Sequence, residues 1–434
     1  MPGLQAGHPA RLFGFTFCVM SSFIICRTIA DAVLLTRLGT IALPPMLFLS
    51  AAVVGSVSAW WAYKTRKLHL TAAVWVTQLS SAAVTAVLLL SLRAWPHSGI
   101  VICSLYLLAE IRGCLNAILI AVLLNENSCP SDDKGRFPLV NAAAPVAGLV
   151  MGTFVGAEAE QFEATTLLGG CIVFDMLAWI VLSRAGQPPE PEPHPNDSVS
   201  PTSSHVDAQT PDQLASEDLR TRRFVRAILC LVACKIVVLT IVGYEWKVVA
   251  SEIFTNNEKR LTAYFGTFYA VADGLILAVQ LLLTRHFLGR SGIVVSLLLL
   301  PLYLTALGIA SLLTQYPPVL FWLLTCARGS MVIRRGIHDV ALQVLYGRLP
   351  ASIRRETVAW VLGVARPAAE AVAAGGIAAL SLVMSPRTFT WLWLPVLLAW
   401  FWSVMRLCTL WNGFHISSSE SPAADSAPAQ TDRT

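Results

Sequence analysis

Long apolar runs recur along the chain, separated by short polar breaks. Twelve can be drawn: Leu12–Leu35, Leu43–Tyr63, Leu70–Leu92, Ile100–Leu124, Pro138–Val155, Thr165–Leu182, Phe224–Val249, Thr262–Leu283, Ile293–Leu313, Val319–Tyr346, Val358–Val383 and Trp391–Leu410. A run of roughly 20 apolar residues is the length of helix that crosses a bilayer, and a helix satisfies its backbone groups within one segment. The pattern predicts an all-α polytopic membrane protein with twelve transmembrane helices. Runs 4, 7 and 10 are interrupted by charges.

One long polar interruption, Ala185–Leu219, contains QPPEPEPHPNDSVSPTSSH, a Pro-, Ser- and acid-rich composition that predicts disorder. It divides the runs six and six. The expected organisation is an N-terminal six-helix half at 1–184, a cytoplasmic linker at 185–221, a C-terminal six-helix half at 222–412 and a disordered tail at 413–434.

Composition agrees with this reading. Of 434 residues, 55% are hydrophobic and 13% charged, against about 25% charged in soluble domains. Mean hydropathy is +0.64. With a cytoplasmic N-terminus, one set of loops holds Lys64, Arg66, Lys67, Lys134, Arg136, Arg184, Arg220, Arg222, Arg223, Arg285, Arg290, Arg348, Arg354 and Arg355. The other set holds only Arg37, Arg93, Lys259, Arg260 and Arg387. This bias is the positive-inside pattern, and an even number of spans returns the C-terminus to the cytoplasm. The expected location is a bacterial inner membrane. The net charge of +5 mostly follows from this topology, and no zinc spacing or aromatic-interleaved motif points to a nucleic acid polymer. No cleavable signal is expected, since only about ten residues precede a first run too long and too polar for a signal core. Of ten cysteines, all but Cys129 lie in the runs, where they read as small packing residues. Walker A, HExxH and GxSxG motifs are missing. The chain reads as neither an enzyme nor a metal or cofactor protein.

The charges inside the runs are not scattered. Run 1 carries Arg27 and Asp31; run 4, Glu110 and Arg112; run 7, Lys235, Glu245 and Lys247; run 10, Arg328, Arg334, Arg335 and Asp339. Runs 3 and 9 carry none, and Asp175 in run 6 is the exception. A charge at the bilayer centre costs at least about 2.5 kcal/mol, so such residues face a bundle interior or a wet cavity. The period of three predicts that helices 1, 4, 7 and 10 surround one cavity, with seven bases and four acids. Surplus positive charge implies an anionic substrate, and arginine offers phosphate a planar fork of donors.

The expected substrate-binding residues are Arg27, Asp31, Glu110, Arg112, Glu245, Lys247, Arg328, Arg334 and Arg335. Arg27 and Asp31 are spaced i, i+4 on one face, whereas Glu110 and Arg112 point apart and need partners on other helices. Tyr244 and Trp246 flank Glu245, as interfacial anchors or as surfaces for a planar base. Arg328, Arg335 and Asp339 follow one helical stripe. Asp273, Asp339, Arg366 and Glu370 are candidates for coupling or gating. Asp273 is isolated, placed to carry a coupling proton or to pair with an arginine across the bundle. Arg366 and Glu370 form another i, i+4 pair.

Two six-helix halves joined by a long linker resemble the layout of the major facilitator superfamily, whose halves rock around a midplane site. Four stretches carry a narrower resemblance: CRTIADAVLLTRLGTIALP, DDKGRFPLVNAAAPVAGLVMG, GYEWKVVASEIFTNNEKRLTAYFGTFYAVADG and GIHDVALQVLYGRLPASIRRETVAWVLGVARP. In order and spacing they resemble the ATP/ADP translocase family and its broader bacterial relatives. That resemblance implies a carrier exchanging nucleotides across a membrane. Arg27, Asp31, Lys247 and Arg366 match its pattern. Ala30 stands where characterised exchangers carry a lysine or arginine, Gly243 where they carry an acid, and Ala369 where they carry a lysine. These departures imply weak ATP/ADP exchange.

The expected function is secondary transport of an anionic, nucleotide-like metabolite by alternating access, through exchange or proton coupling. A transporter of another small metabolite or drug, or a non-transporting scaffold or sensor, are the alternatives. The expected partners are the small anion and the lipid bilayer.

Overall fold

The computed structural model describes residues 8–65, 70–126, 137–183, 211–254, 257–282, 292–314, 316–347, 357–358 and 360–419. Most of the interhelical basic residues (Arg66, Lys67, Lys134, Arg136, Arg184, Arg285, Arg290, Arg348, Arg354, Arg355), the linker core at 185–210, Cys129 and the tail beyond Ser419 lie outside the described residues.

Among the described residues twelve helical segments follow one another. The first half holds α1 (His8–Arg37), α2 (Leu43–Thr65), α3 (Leu70–Ala94), α4 (Gly99–Glu126), α5 (Phe137–Glu158) and α6 (Ala164–Ser183). The second holds α7 (Pro211–Ile253), α8 (Glu258–Leu282), α9 (Gly292–Leu313), α10 (317–347), α11 (360–380) and α12 (Thr390–Ser419). The fold is an all-helical, polytopic membrane architecture. Among the described residues nine helices are long and apolar enough to span a membrane. The other three are α5, whose apolar part is the shorter Ala142–Glu158, and the interrupted α10 and α11.

Two helix ends differ from the sequence reading. α7 reaches back to Pro211, into the stretch read as linker. Proline fits the first helical position, and QLASEDLRTRRF contains no Gly or Pro to stop the helix. At the other end α12 continues to Ser419, past the expected boundary at 412. No proline interrupts it between Pro395 and Pro422.

Packing repeats between the halves. α1 packs on α4, α5 and α6, and α3 packs on α4 and α6. Correspondingly α7 packs on α10, α11 and α12, and α9 on α10 and α12. The halves meet along α5 with α8, and along α2 with α11; the two contacts are equivalent under the same repeat. A buried cluster from α1, α3, α4 and α6, including Phe15, Val19, Val74, Leu119 and Ala178, lies within the first half. A larger one runs from α1 through α7 and α8 to α12.

The α5–α8 contact is close because both faces are nearly bare. Gly148, Gly152 and Gly156 recur every fourth residue on α5, opposite Gly266, Ala270 and Asp273 on α8. A Cβ at Gly152 would lie 2.6 Å from the Ala270 backbone nitrogen, and one at Gly156 would lie 2.6 Å from Thr267 Oγ1. At Gly148 it would collide with the Asp273 carboxylate. Small residues at this spacing let helix backbones approach within a bilayer, where packing rather than hydrophobic burial drives association.

Candidate substrate site

Where α1, α4 and α7 meet, four charges form one network. Arg27 Nε donates to Asp31 Oδ2 at 3.1 Å, one turn along α1. Arg27 Nη1 reaches Glu110 Oε1 on α4 at 2.5 Å. Lys247 Nζ, from the second half, donates to Asp31 Oδ1 at 2.7 Å. Asp31 is thus shared between cations of opposite halves. Both cations also approach the Tyr106 ring, at 5.7 Å for Arg27 and 5.3 Å for Lys247. The Asp31 side chain is fully buried and Lys247 is 3% exposed, while Arg27 and Glu110 retain 14% and 23%. Two cations facing two carboxylates leave no net charge. An anion binding here must take the place of a carboxylate already present.

Arg328, on α10, has a different environment. Its guanidinium carbon sits 5.5 Å from the Trp246 ring centre, a cation–π arrangement. Among the described residues it has no carboxylate within ion-pair distance, and its Nε makes no hydrogen bond. A Cβ at Gly243 would lie 3.3 Å from Arg328 Nη1. Gly243 therefore lies beside this arginine and brings no side chain to it. Behind Arg328, Trp246 is buried against Tyr264, Phe265 and Phe268. Its Nε1 donates to Tyr264 Oη at 2.7 Å. Tyr244 is buried against Phe389. Neither ring is an interfacial anchor: both are spent on packing α7 to its neighbours.

α10 does not keep one helical stripe. A turn at Ser330 and a π-helical turn over Arg334–His338 shift its register. Such turns concentrate at functional sites. The shift sends Arg335 to α8, where Nη1 donates to Asp273 Oδ1 at 3.1 Å. Asp339 instead meets α7, accepting from Lys235 Nζ at 2.8 Å. Arg334 Nε lies 3.9 Å from the other Asp339 oxygen. α11 carries a matching π turn at Val361–Ala365, directly before Arg366. Arg366 Nε donates to Glu370 Oε1 at 3.1 Å. Arg366 also lies within electrostatic reach of Asp339 and, across the halves, of Cys114 on α4. The Arg334, Arg335, Asp339 and Arg366 side chains remain 27%, 38%, 39% and 56% exposed.

Two expected site residues lie elsewhere. Arg112 points into the first half, donating through Nη2 to Asp175 Oδ1 on α6 at 2.6 Å and through Nη1 to Thr85 Oγ1 on α3 at 2.9 Å. It also contacts Ser22. Asp175, unexplained by the period of three, is its counterion. Glu245 is buried toward α12, accepting from Thr390 Oγ1 at 3.0 Å. Being two residues from Lys247 puts it on another face of α7. Helix membership alone did not decide which charges join the central network.

Other features escaped the sequence reading. Gly148-x-x-x-Gly152-x-x-x-Gly156 was visible as a pattern and marks the inter-half contact. Arg37, at the end of α1, is held by both oxygens of Glu258 on α8, at 2.8 and 3.1 Å, and also donates to the Pro96 carbonyl at 2.7 Å. Beside it Lys259 donates to the Glu160 carbonyl at 2.9 Å. These contacts tie the halves together at one end of the bundle. Among the described residues no group of His, Cys, Asp and Glu is arranged to hold a metal ion.

No protein-family model matches the chain, and no curated protein matches it. Solved structures do. A POT family transporter in complex with a thioalcohol-conjugated peptide aligns over 94% of this chain and 98% of that one, with TM-score 0.67 and 12% identity. The nucleoside transporter NupG aligns over 93% and 99%, with TM-score 0.60 and 11% identity. A D-xylose–proton symporter aligns over 92% and 95%, with TM-score 0.58 and 14% identity. The fold is major-facilitator-like.

Proposed function

We propose that the chain is a secondary transporter moving an anionic, nucleotide-like metabolite by alternating access, in an inner membrane with both termini cytoplasmic. Arg328 carries the reading. Among the described residues it is the cation between the halves that no carboxylate pairs with, and the Gly243 notch beside it leaves room for a substrate oxygen. The remaining pairs then act as gates: Asp31–Lys247 holds the halves together at the centre, and Arg37–Glu258 closes one end. Asp273–Arg335 is the candidate coupling pair, because it lies against the α5–α8 seam.

Proteoliposomes carrying the purified chain should take up a labelled anion from a panel of nucleotides, inorganic phosphate and organic acids. A charge-assisted contact is worth about 1.5–3 kcal/mol, so Arg328→Gln should lower apparent affinity by about tenfold or more. Gly243→Glu, which sets a carboxylate beside Arg328, should do the same in a folded protein. Absence of uptake for every anion by a folded, correctly inserted chain would reject transport of this class.

A further inference from the structure

A second group of cations is built from α7, α10 and α11. Lys235, Arg334 and Arg366 lie within electrostatic reach of one another. They share Asp339, while Glu370 serves Arg366 alone. Asp339 is committed to Lys235 at 2.8 Å and reaches Arg334 only at 3.9 Å. Arg334 Nε makes no hydrogen bond, so the Arg334 fork is the least satisfied of the group. Arg334 opens the π turn of α10, and Arg366 directly follows the π turn of α11. Arg366 is over half exposed and Arg334 partly so, while Lys235 is buried behind them.

Its position is distinct from the central network. Twelve residues of α7 separate Lys235 from Lys247, which at the helical rise is about 18 Å. Arg328 precedes the break in α10 and Arg334 follows it. The central network is charge-balanced, whereas this group has three cations against two carboxylates.

We propose that Lys235, Arg334 and Arg366 form a second anion subsite, selective for a phosphate dianion, that receives the substrate before it reaches Arg328. The inference rests on the transport reading for its purpose, but not for its binding chemistry. Arg334 and Arg366 offer guanidinium forks from two helices, and Lys235 adds a point charge. Tetrahedral oxyanions suit this convergence better than a planar carboxylate does, because their oxygens diverge toward donors on different sides. Asp339 is the resident competitor: a bound phosphate draws Arg334 and Lys235 away from it.

The decisive experiment is calorimetric titration of the full-length chain in nanodiscs with inorganic phosphate and pyrophosphate, with acetate as the planar control. Phosphate should bind more tightly than acetate, and Arg334→Gln and Arg366→Gln should each weaken it by about tenfold. Asp339→Asn should strengthen phosphate binding several-fold, an effect that a purely structural ion pair would not produce. Arg334→Lys keeps the charge and loses the fork; it should fold and bind with intermediate affinity. Phosphate affinity unchanged in both glutamine variants, or weakened in Asp339→Asn, would overturn the subsite. Uptake by proteoliposomes is read separately: if phosphate binds as described yet no anion is transported, the subsite stands and the transport reading falls.

Discussion

Asp31 and Asp175 are both buried acids in the first half, and they do different work. Asp31 holds a cation from each half; Asp175 holds Arg112 within its own half. Removing one partner of a buried pair strands the other charge and costs about 3–5 kcal/mol, whereas replacing both by apolar residues is often neutral. Asp175→Leu should therefore lower the unfolding midpoint of the detergent-solubilised protein sharply. Arg112→Met together with Asp175→Leu should restore most of it, with uptake retained. Persistent loss of uptake in a stable double variant would return Arg112 to the substrate site. Partnership at this scale was legible only where both members lie on one helix, as in Arg27–Asp31 and Arg366–Glu370. Glu110 and Arg112 were readable as diverging, but their destinations, Arg27 and Asp175, depend on how helices far apart in sequence assemble.

Among the elements, α10 departs most from its sequence pattern. Regular 3.6-residue spacing placed Arg328, Arg335 and Asp339 on one stripe; with the turn at Ser330 and the π turn at Arg334–His338, Arg328 and Asp339 meet α7 and Arg335 meets α8. Propensity does not announce a π turn, because its stabilising contacts are tertiary. Among these, Gly336 allows the close approach of Val279: a Cβ there would lie 2.5 Å from Val279 Cγ1. The α5 glycines give the clearer mutational prediction. Overpacking a filled contact costs about 1–3 kcal/mol or more, and at Gly152 the obstructing atoms are backbone. Gly152→Leu should lower folded yield and melting temperature, while Gly169→Ala, whose new Cβ would meet Leu89 at an ordinary 3.9 Å, should leave both unchanged. Equal tolerance at the two positions would show that the α5–α8 approach is looser than described.

For the molecule as a whole, the all-helical, polytopic fold followed from apolar run length. The limits of the second half were less readable, since α7 and α12 extend as polar helix beyond their apolar parts. Arg37 and Glu258 join the halves at the end of the bundle, and the proposed alternating access would require them to part. The double variant Arg37→Cys with Glu258→Cys, made in a chain whose native cysteines are replaced, should be linked by a short bifunctional thiol reagent. Linking should abolish uptake, and a cleavable reagent should allow its recovery. Full uptake by the linked protein would show that this end stays shut throughout the cycle.

The bare α5–α8 seam also bears on how the halves are inherited. Each glycine on α5 is shaped to a particular partner on α8: Gly148 to Asp273, Gly152 to Ala270, Gly156 to Thr267. A chimera joining this N-terminal half to a foreign C-terminal half will assemble only when α5 and α8 are transplanted together. A bulkier residue at one of these glycines should be accommodated only with a compensating change on the facing helix.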